Sequence, residues 1–267
     1  MIVSAEGQVA AQHSVEFAPT AASRRGAFVV EHEQDPSLWW KAARGALLGV
    51  VAEFEARGGA TGGLQAIAID GTSGTVVGVD RDGAACTSAL MYNDGRAAQE
   101  ALALSEWASE ASADTPVRAS WSLAKMLWLE RHEPEGFART HCFTHQADYV
   151  AAQLTGTIGC TDASNALKSG FDLRARTWPA WLDDRTGIPE KLPDVVEPGT
   201  LGGQVRDDVA RELRLPPGLQ VVAGAPDGTA AVLASGAARG GDDHTTPAAT
   251  PVFKRLADHD PDPPPAP

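Results

Sequence analysis

Residues 66–80 read Ala66-Ile67-Ala68-Ile69-Asp70-Gly71-Thr72-Ser73-Gly74-Thr75-Val76-Val77-Gly78-Val79-Asp80. An apolar run stops at Asp70, a glycine- and hydroxyl-rich turn follows, and an extended pattern resumes at Thr75. Acid, glycine and hydroxyls between two strands have the composition of a phosphate-gripping turn. An ordinary hairpin or bulge turn explains the same residues. Neutral hydroxyl and amide groups also suit a polyol, which needs donors and acceptors together.

A second stretch has a related character. Leu219-Gln220-Val221-Val222-Ala223 reads as a short buried strand. Gly224-Ala225-Pro226-Asp227-Gly228 turns it into an Ala-rich helix over 229–238. A carboxylate at a strand end, beside glycines and a helix start, faces the crevice where α/β sheets bind ligands. Such an Asp can accept a proton from a hydroxyl nucleophile. From pattern alone, a helix-capping Asp is the commoner explanation. A third stretch, Tyr92-Asn93-Asp94-Gly95-Arg96-Ala97, reads as a strand-to-helix turn in which Asp94 or Asn93 caps the next helix and Arg96 pairs with Asp94.

Around these turns the chain alternates between strand and helix patterns. Residues 1–5 and 8–17 form a hairpin about Glu6-Gly7, and 18–34 are polar and irregular. Apolar residues recur at helical spacing from Pro36 to Ala56, with Asp35 as N-cap and Pro36 in the first turn. Strands are expected over 64–69, 75–80 and 84–91, with a tight turn at Arg81-Asp82-Gly83. Helices are expected over 96–112, 121–132 and 145–155, the last closed by Gly156. Residues 157–200 read as loops with short helices, one near Pro179–Asp184. Trp39, Trp40 and Trp128 lie on helix faces and read as core or interface. This mixture implies an α/β layered domain.

Composition narrows the function. Of 267 residues, 43% are hydrophobic and 21% charged, enough for a packed core. The net charge of −13 argues against sequence-independent nucleic-acid binding, which needs clustered Lys and Arg. Cys86, Cys142 and Cys160 lie far apart without a Cys-x-x-Cys pair, so reduced thiols in a cytoplasmic protein are expected. No run approaches the roughly 18 apolar residues of a membrane span. His141 and His145 are four apart, but His145 reads as a helix start rather than a metal ligand.

Seven motifs, in order, resemble the N-terminal domain of the FGGY carbohydrate kinases. They are Gln34-Asp35-Pro36-x-x-Trp39-Trp40, Ile67 to Thr75, Tyr92 to Ala97, and Ser122-Leu123-Ala124-Lys125-x-x-Trp128. Asp148-Tyr149 with Leu154-Thr155-Gly156, Thr161-Asp162-x-Ser164-Asn165-Ala166, and Gly224-x-x-Asp227-Gly228 complete the set. The resemblance implies an actin-like ATPase (ribonuclease H-like) domain, a mixed central sheet flanked by helices, spanning 1–255. Residues 256–267 form a disordered Pro-rich tail.

It also implies transfer of the ATP γ-phosphoryl group to a sugar hydroxyl, with Mg²⁺ on the phosphates and Asp227 as catalytic base. Ser73 and Gly74 fall where xylulokinases carry their sugar-contacting pair, and Asp70 and Thr72 complete the expected sugar-binding set with Asp227. The Asp-Gly-Thr-Ser form at 70–73 resembles the D-ribulokinase-type branch of the family, so the resemblance implies D-ribulose before D-xylulose. A small sugar is the expected partner, with no nucleic acid or membrane, and a homodimer is allowed for.

Three departures qualify these implications. The family's opening strand with its D-x-G-T phosphate loop has no counterpart before Met1. The second phosphate loop corresponds to Thr245-Thr246-Pro247-Ala248-Ala249-Thr250, where Pro247 removes an amide donor. The second domain of the family has no counterpart either. The expectation is a truncated or decayed kinase of impaired activity. The alternative is a non-catalytic sugar-binding or regulatory module on the same fold.

Overall fold

The computed structural model describes residues 1–16, 21–25, 29–113, 116–237, 239–246 and 252–256. The chain opens with a hairpin, β1 (Ile2–Val3) and β2 (Val9–Ala11), turned at Gly7 as its positive φ of 79° allows. A second antiparallel pair, β3 (Ala21–Arg25) and β4 (Val29–Gln34), stands where an irregular segment was expected. Its polar sequence hides it from hydrophobic periodicity, yet β4 also pairs with β7 (Ala89–Leu90) through residues 33 and 34.

Helix α1 (Pro36–Ala56) begins as its sequence dictates: Asp35 accepts a hydrogen bond from the Ser37 amide at 2.9 Å, with Pro36 in the first turn. β5 (Ala66–Ala68) and β6 (Val77–Val79) flank the 69–76 turn region. After β7 come α2 (Ala98–Glu110), α3 (Ser122–His132), the short α4 (Pro134–Arg139), β8 (Cys142–Thr144) and α5 (Gln146–Thr155). α5 closes on Gly156 in the left-handed conformation.

β9 (Cys160–Asp162), α6 (Ala163–Ala166) and β10 (Asp194–Val196) follow, and β9 pairs with β10 in parallel. The chain continues through β11 (Leu201–Gln204), α7 (Asp207–Leu213), β12 (Gln220–Val222) and α8 (Asp227–Ala234). A last hairpin, β13 (Asp243–Thr246) and β14 (Val252–Arg255), completes the described chain. Among the described residues, no helix is long and apolar enough to cross a membrane.

The ladders are short. β12 lies between β11, antiparallel, and β5, parallel with Val221 opposite Ile67. This mixed three-stranded unit is the sheet that positions the two glycine-rich turns. Three apolar clusters hold the layers together. One joins Leu123 and Leu127 of α3, Leu104 of α2 and Phe143 of β8. A second joins Val51 of α1, Leu154 of α5, Leu213 of α7 and Val221 of β12. The third packs Trp39, edge-on to Tyr149 at 5.7 Å, against Val77 and Val79. Trp40 and Trp128 are partly buried against these clusters. Of the Pro-rich tail expected over 256–267, residues 257–267 lie outside the described residues.

Candidate functional site

The turns at 70–75 and 224–228 meet because their parent strands are neighbours. β5 and β12 run parallel, so both chains leave the sheet at the same end. The contact continues past the strands: Gly71 and Pro226 form a parallel bridge, and the Asp227 amide donates to the Gly71 carbonyl at 2.9 Å. The Ala225 amide reaches Asp70 Oδ1 at 3.5 Å, at the long limit for such a bond. Gly224 permits this approach, since a Cβ there would sit 2.0 Å from the Ile69 carbonyl oxygen.

Within the first turn the five residues have unequal surroundings. The Thr72 amide and hydroxyl both donate to Gln146 Oε1 at 3.0 Å, and its hydroxyl also bonds that of Thr75 at 2.6 Å. Gln146 opens α5, so Thr72 ties the turn to that helix. Gly74 is buried at φ +89°, where a side chain would be strained. Asp70 is exposed and Ser73 half-buried. The Ser73 carbonyl accepts from Lys168 Nζ at 3.1 Å. The Ser73 hydroxyl has no hydrogen-bond partner among the described residues.

Asp227 is the first residue of α8, two positions earlier than the expected helix start. Its carboxylate is exposed, and Oδ1 accepts from the Gly228 amide at 2.6 Å. Ser73 lies two residues beyond Gly71, the backbone partner of Asp227, so its Cα is within about 7 Å of that contact. Asp70, Ser73 and Asp227 thus stand with polar atoms open to solvent around one junction, while Thr72 and Gly74 build the turn.

The third stretch is structural in a different way from its sequence reading. Asp94 is buried and accepts from the His32 amide at 2.6 Å and from the amide and guanidinium of Arg96. Arg96 also pairs with Glu33 and lies over the Trp128 ring at 4.9 Å. The Asp94–Arg96 pair matches expectation, but no side chain caps α2, which begins only at Ala98. Asp94 instead binds the turn to β4.

Two buried polar groups escaped the sequence reading. Lys125 of α3 is fully buried, and its Nζ donates to the carbonyls of Gly74 and Met91, both at 2.7 Å, and of Ser120 at 3.0 Å. Burial, opposed by Asp94, pulls its pKa down to about 7. His145 is also fully buried. Nδ1 meets Asp148 and Thr161, and Nε2 meets Ser169, whose hydroxyl bonds Ser122 at 2.9 Å. Lys125 showed in the sequence only as a polar residue at a helical position otherwise facing the core, whereas His145 stands at the start of α5, as its sequence indicated. The three cysteines are free, and burial pushes the Cys142 thiol up to about 12.

Residues for a nucleotide or metal are a separate matter. Thr245 pairs with Phe253 and Thr246 with Val252 in the last hairpin, and 247–251 lie outside the described residues. Among the described residues no group of three or more His, Cys, Asp or Glu could hold a metal ion.

The family model for the N-terminal domain of the FGGY family of carbohydrate kinases matches residues 1–234, and the chain belongs to that family. It is 32% identical over 213 residues to the xylulose kinase of Streptomyces rubiginosus, covering 76% of this chain and 42% of that protein. It is 34% identical over 122 residues to the autoinducer-2 kinase of Klebsiella pneumoniae, covering 45% of this chain and 23% of that one. The solved xylulose kinase from Rhodospirillum rubrum superposes with a TM-score of 0.74 at 31% identity, over 85% of this chain and 47% of that one. The actin-like kinase fold is therefore shown. The chain spans about half the length of the curated xylulose kinases it matches.

Proposed function

We propose that this chain is the sugar-binding half of an ATP-dependent ketopentose kinase. The observation that carries the reading is the bond from the Asp227 amide to the Gly71 carbonyl, which seats Asp227 against the Asp70–Gly74 turn. The Asp227 carboxylate serves as the base for the attacking sugar hydroxyl, and the Ser73 hydroxyl, lacking a protein partner, orients the sugar with Asp70. ATP with Mg²⁺ supplies the phosphoryl group in the whole enzyme. In this chain, the residues on hand bind the sugar and hold its proton acceptor in place. General-base assistance of this kind is worth about 10²–10⁴-fold in rate. The Asp-Gly-Thr-Ser form favours D-ribulose, whereas several relatives are named xylulose kinases, so D-xylulose is the comparison sugar.

Calorimetric titration tests the reading. D-Ribulose or D-xylulose binds the chain, ATP does not, and Ser73→Ala or Asp227→Ala weakens the sugar. Absence of sugar heat with either ketopentose would sink the proposal. ATP binding without sugar would reverse the assignment of this half.

A further inference from the structure

Lys125 is a charged side chain with no exposed surface, and no step of the proposed reaction uses it. A buried, uncompensated ammonium is costly, so it persists only where its donors are all engaged. Here the three donors match three acceptors, the carbonyls of Gly74, Met91 and Ser120. Each acceptor belongs to a different segment: the 70–75 turn, the end of β7, and the loop entering α3. Gly74 is where the first turn adopts its left-handed conformation, and it directly follows Ser73.

We propose that Lys125 is a positioning residue of the sugar site: from behind the turn, its ammonium holds the Gly74 carbonyl and so sets where the Ser73 hydroxyl points. Resting on the reading of Ser73 and Asp227 given above, this adds a residue that touches no sugar. Lys168 also holds this turn, through the Ser73 carbonyl at 3.1 Å. The tie from Lys125 is conditional on charge. An ammonium has three N–H donors and a neutral amine only two, so deprotonation releases at least one of the three carbonyls. With the Lys125 pKa drawn down to about 7, that change falls near neutral pH.

Burial sets the direction, and the ionisable groups that face Lys125 modify it. Asp94 holds the proton on, while Lys168 and Arg96 oppose it. Asp70 on the turn and Arg118 before Ser120 are the other charged side chains on the segments that Lys125 joins. Raising the pH therefore loosens the turn from behind, and the sugar loses affinity.

The experiment has two arms. In the first, carbonyl ¹³C shifts of Gly74, Met91 and Ser120 and the amide of Ser73 are followed in the wild-type chain from pH 6 to 10. All four are expected to move with one common midpoint; carbonyls that move independently, or not at all, overturn the proposal. In the second, D-ribulose and D-xylulose are titrated into wild type and Lys125→Met at pH 6 and pH 9. The wild type is expected to bind at least fivefold more weakly at pH 9. Lys125→Met, checked by circular dichroism, is expected to bind at least tenfold more weakly at pH 6, with no pH dependence. Unchanged binding by a folded Lys125→Met overturns the proposal. If neither sugar binds the wild type, the sugar reading falls while the carbonyl titration still decides the role of Lys125.

Discussion

Asp227 and Gly224 lie three residues apart and answer to opposite constraints. The Asp227 carboxylate is exposed and bonds only its own helix start. Asp227→Ala should therefore leave stability within about 0.5 kcal/mol of wild type by urea denaturation, while weakening sugar binding. Gly224 has no room for a side chain, because the Ile69 carbonyl occupies the Cβ position at 2.0 Å. Gly224→Ala should cost about 1–3 kcal/mol in the same experiment, since the obstacle is backbone rather than a movable side chain. Lys125 adds a pH term. Its pKa is about 7 when folded against 10.5 for the free side chain, so the unfolded chain binds more protons between those values. Stability from this group accordingly rises with pH from about 7 to 10.5, and its burial penalty is fully present below 7. The difference in urea midpoint between wild type and Lys125→Met should change across that window in the direction that favours wild type at higher pH.

At the scale of elements, the long helices were legible and the short strands less so. α1 was expected from Pro36 to Ala56 and runs over those residues, because apolar spacing, an Asp N-cap and a first-turn Pro agree. Asp35→Ala should cost about 1 kcal/mol, read as a lower melting temperature without change in fold. The β3–β4 pair was missed because Val29–Gln34 carries four polar residues in six, so no apolar alternation marks the strand. β7 and β12 are shorter than their sequence patterns, two and three residues, although single pairings continue beyond them: Ala85 bridges Val79, and the Ala223 amide bonds the Thr200 carbonyl. The 92–97 turn was legible as an Asp–Arg pair, but not as the tie between β4 and α3 that it forms. Asp94→Ala would leave the Arg96 guanidinium buried beside Trp128 without its main partner. A loss of about 3–5 kcal/mol is expected, measured by chemical denaturation, with Glu33 too exposed to replace the lost charge.

For the whole molecule, the largest continuous ladder among the described residues has three strands. Kinship to full-length kinases supplies the rest of the architectural argument. The chain spans about half of the xylulose kinases it matches, and among its described residues no group of three or more His, Cys, Asp or Glu could hold a metal ion. We therefore expect little or no kinase turnover from this chain alone. A coupled ADP-release assay checks this: robust D-ribulose- or D-xylulose-dependent turnover that disappears in Asp227→Ala would overturn it.

The order of seven motifs along the chain was enough to assign the family, because each is a local pattern with its own glycine, acid or aromatic at fixed spacing. The same local patterns marked Asp70, Ser73 and Asp227 as candidates, since carboxylates and hydroxyls beside glycines stand out in one dimension. Which of the turn residues are open and which are engaged could not be read there. Thr72 is held by Gln146, 74 positions away, and Gly74 by Lys125, 51 positions away. A hydrogen bond between segments so distant leaves no periodic mark on either, so only the packing of α3 and α5 behind the two turns decides it.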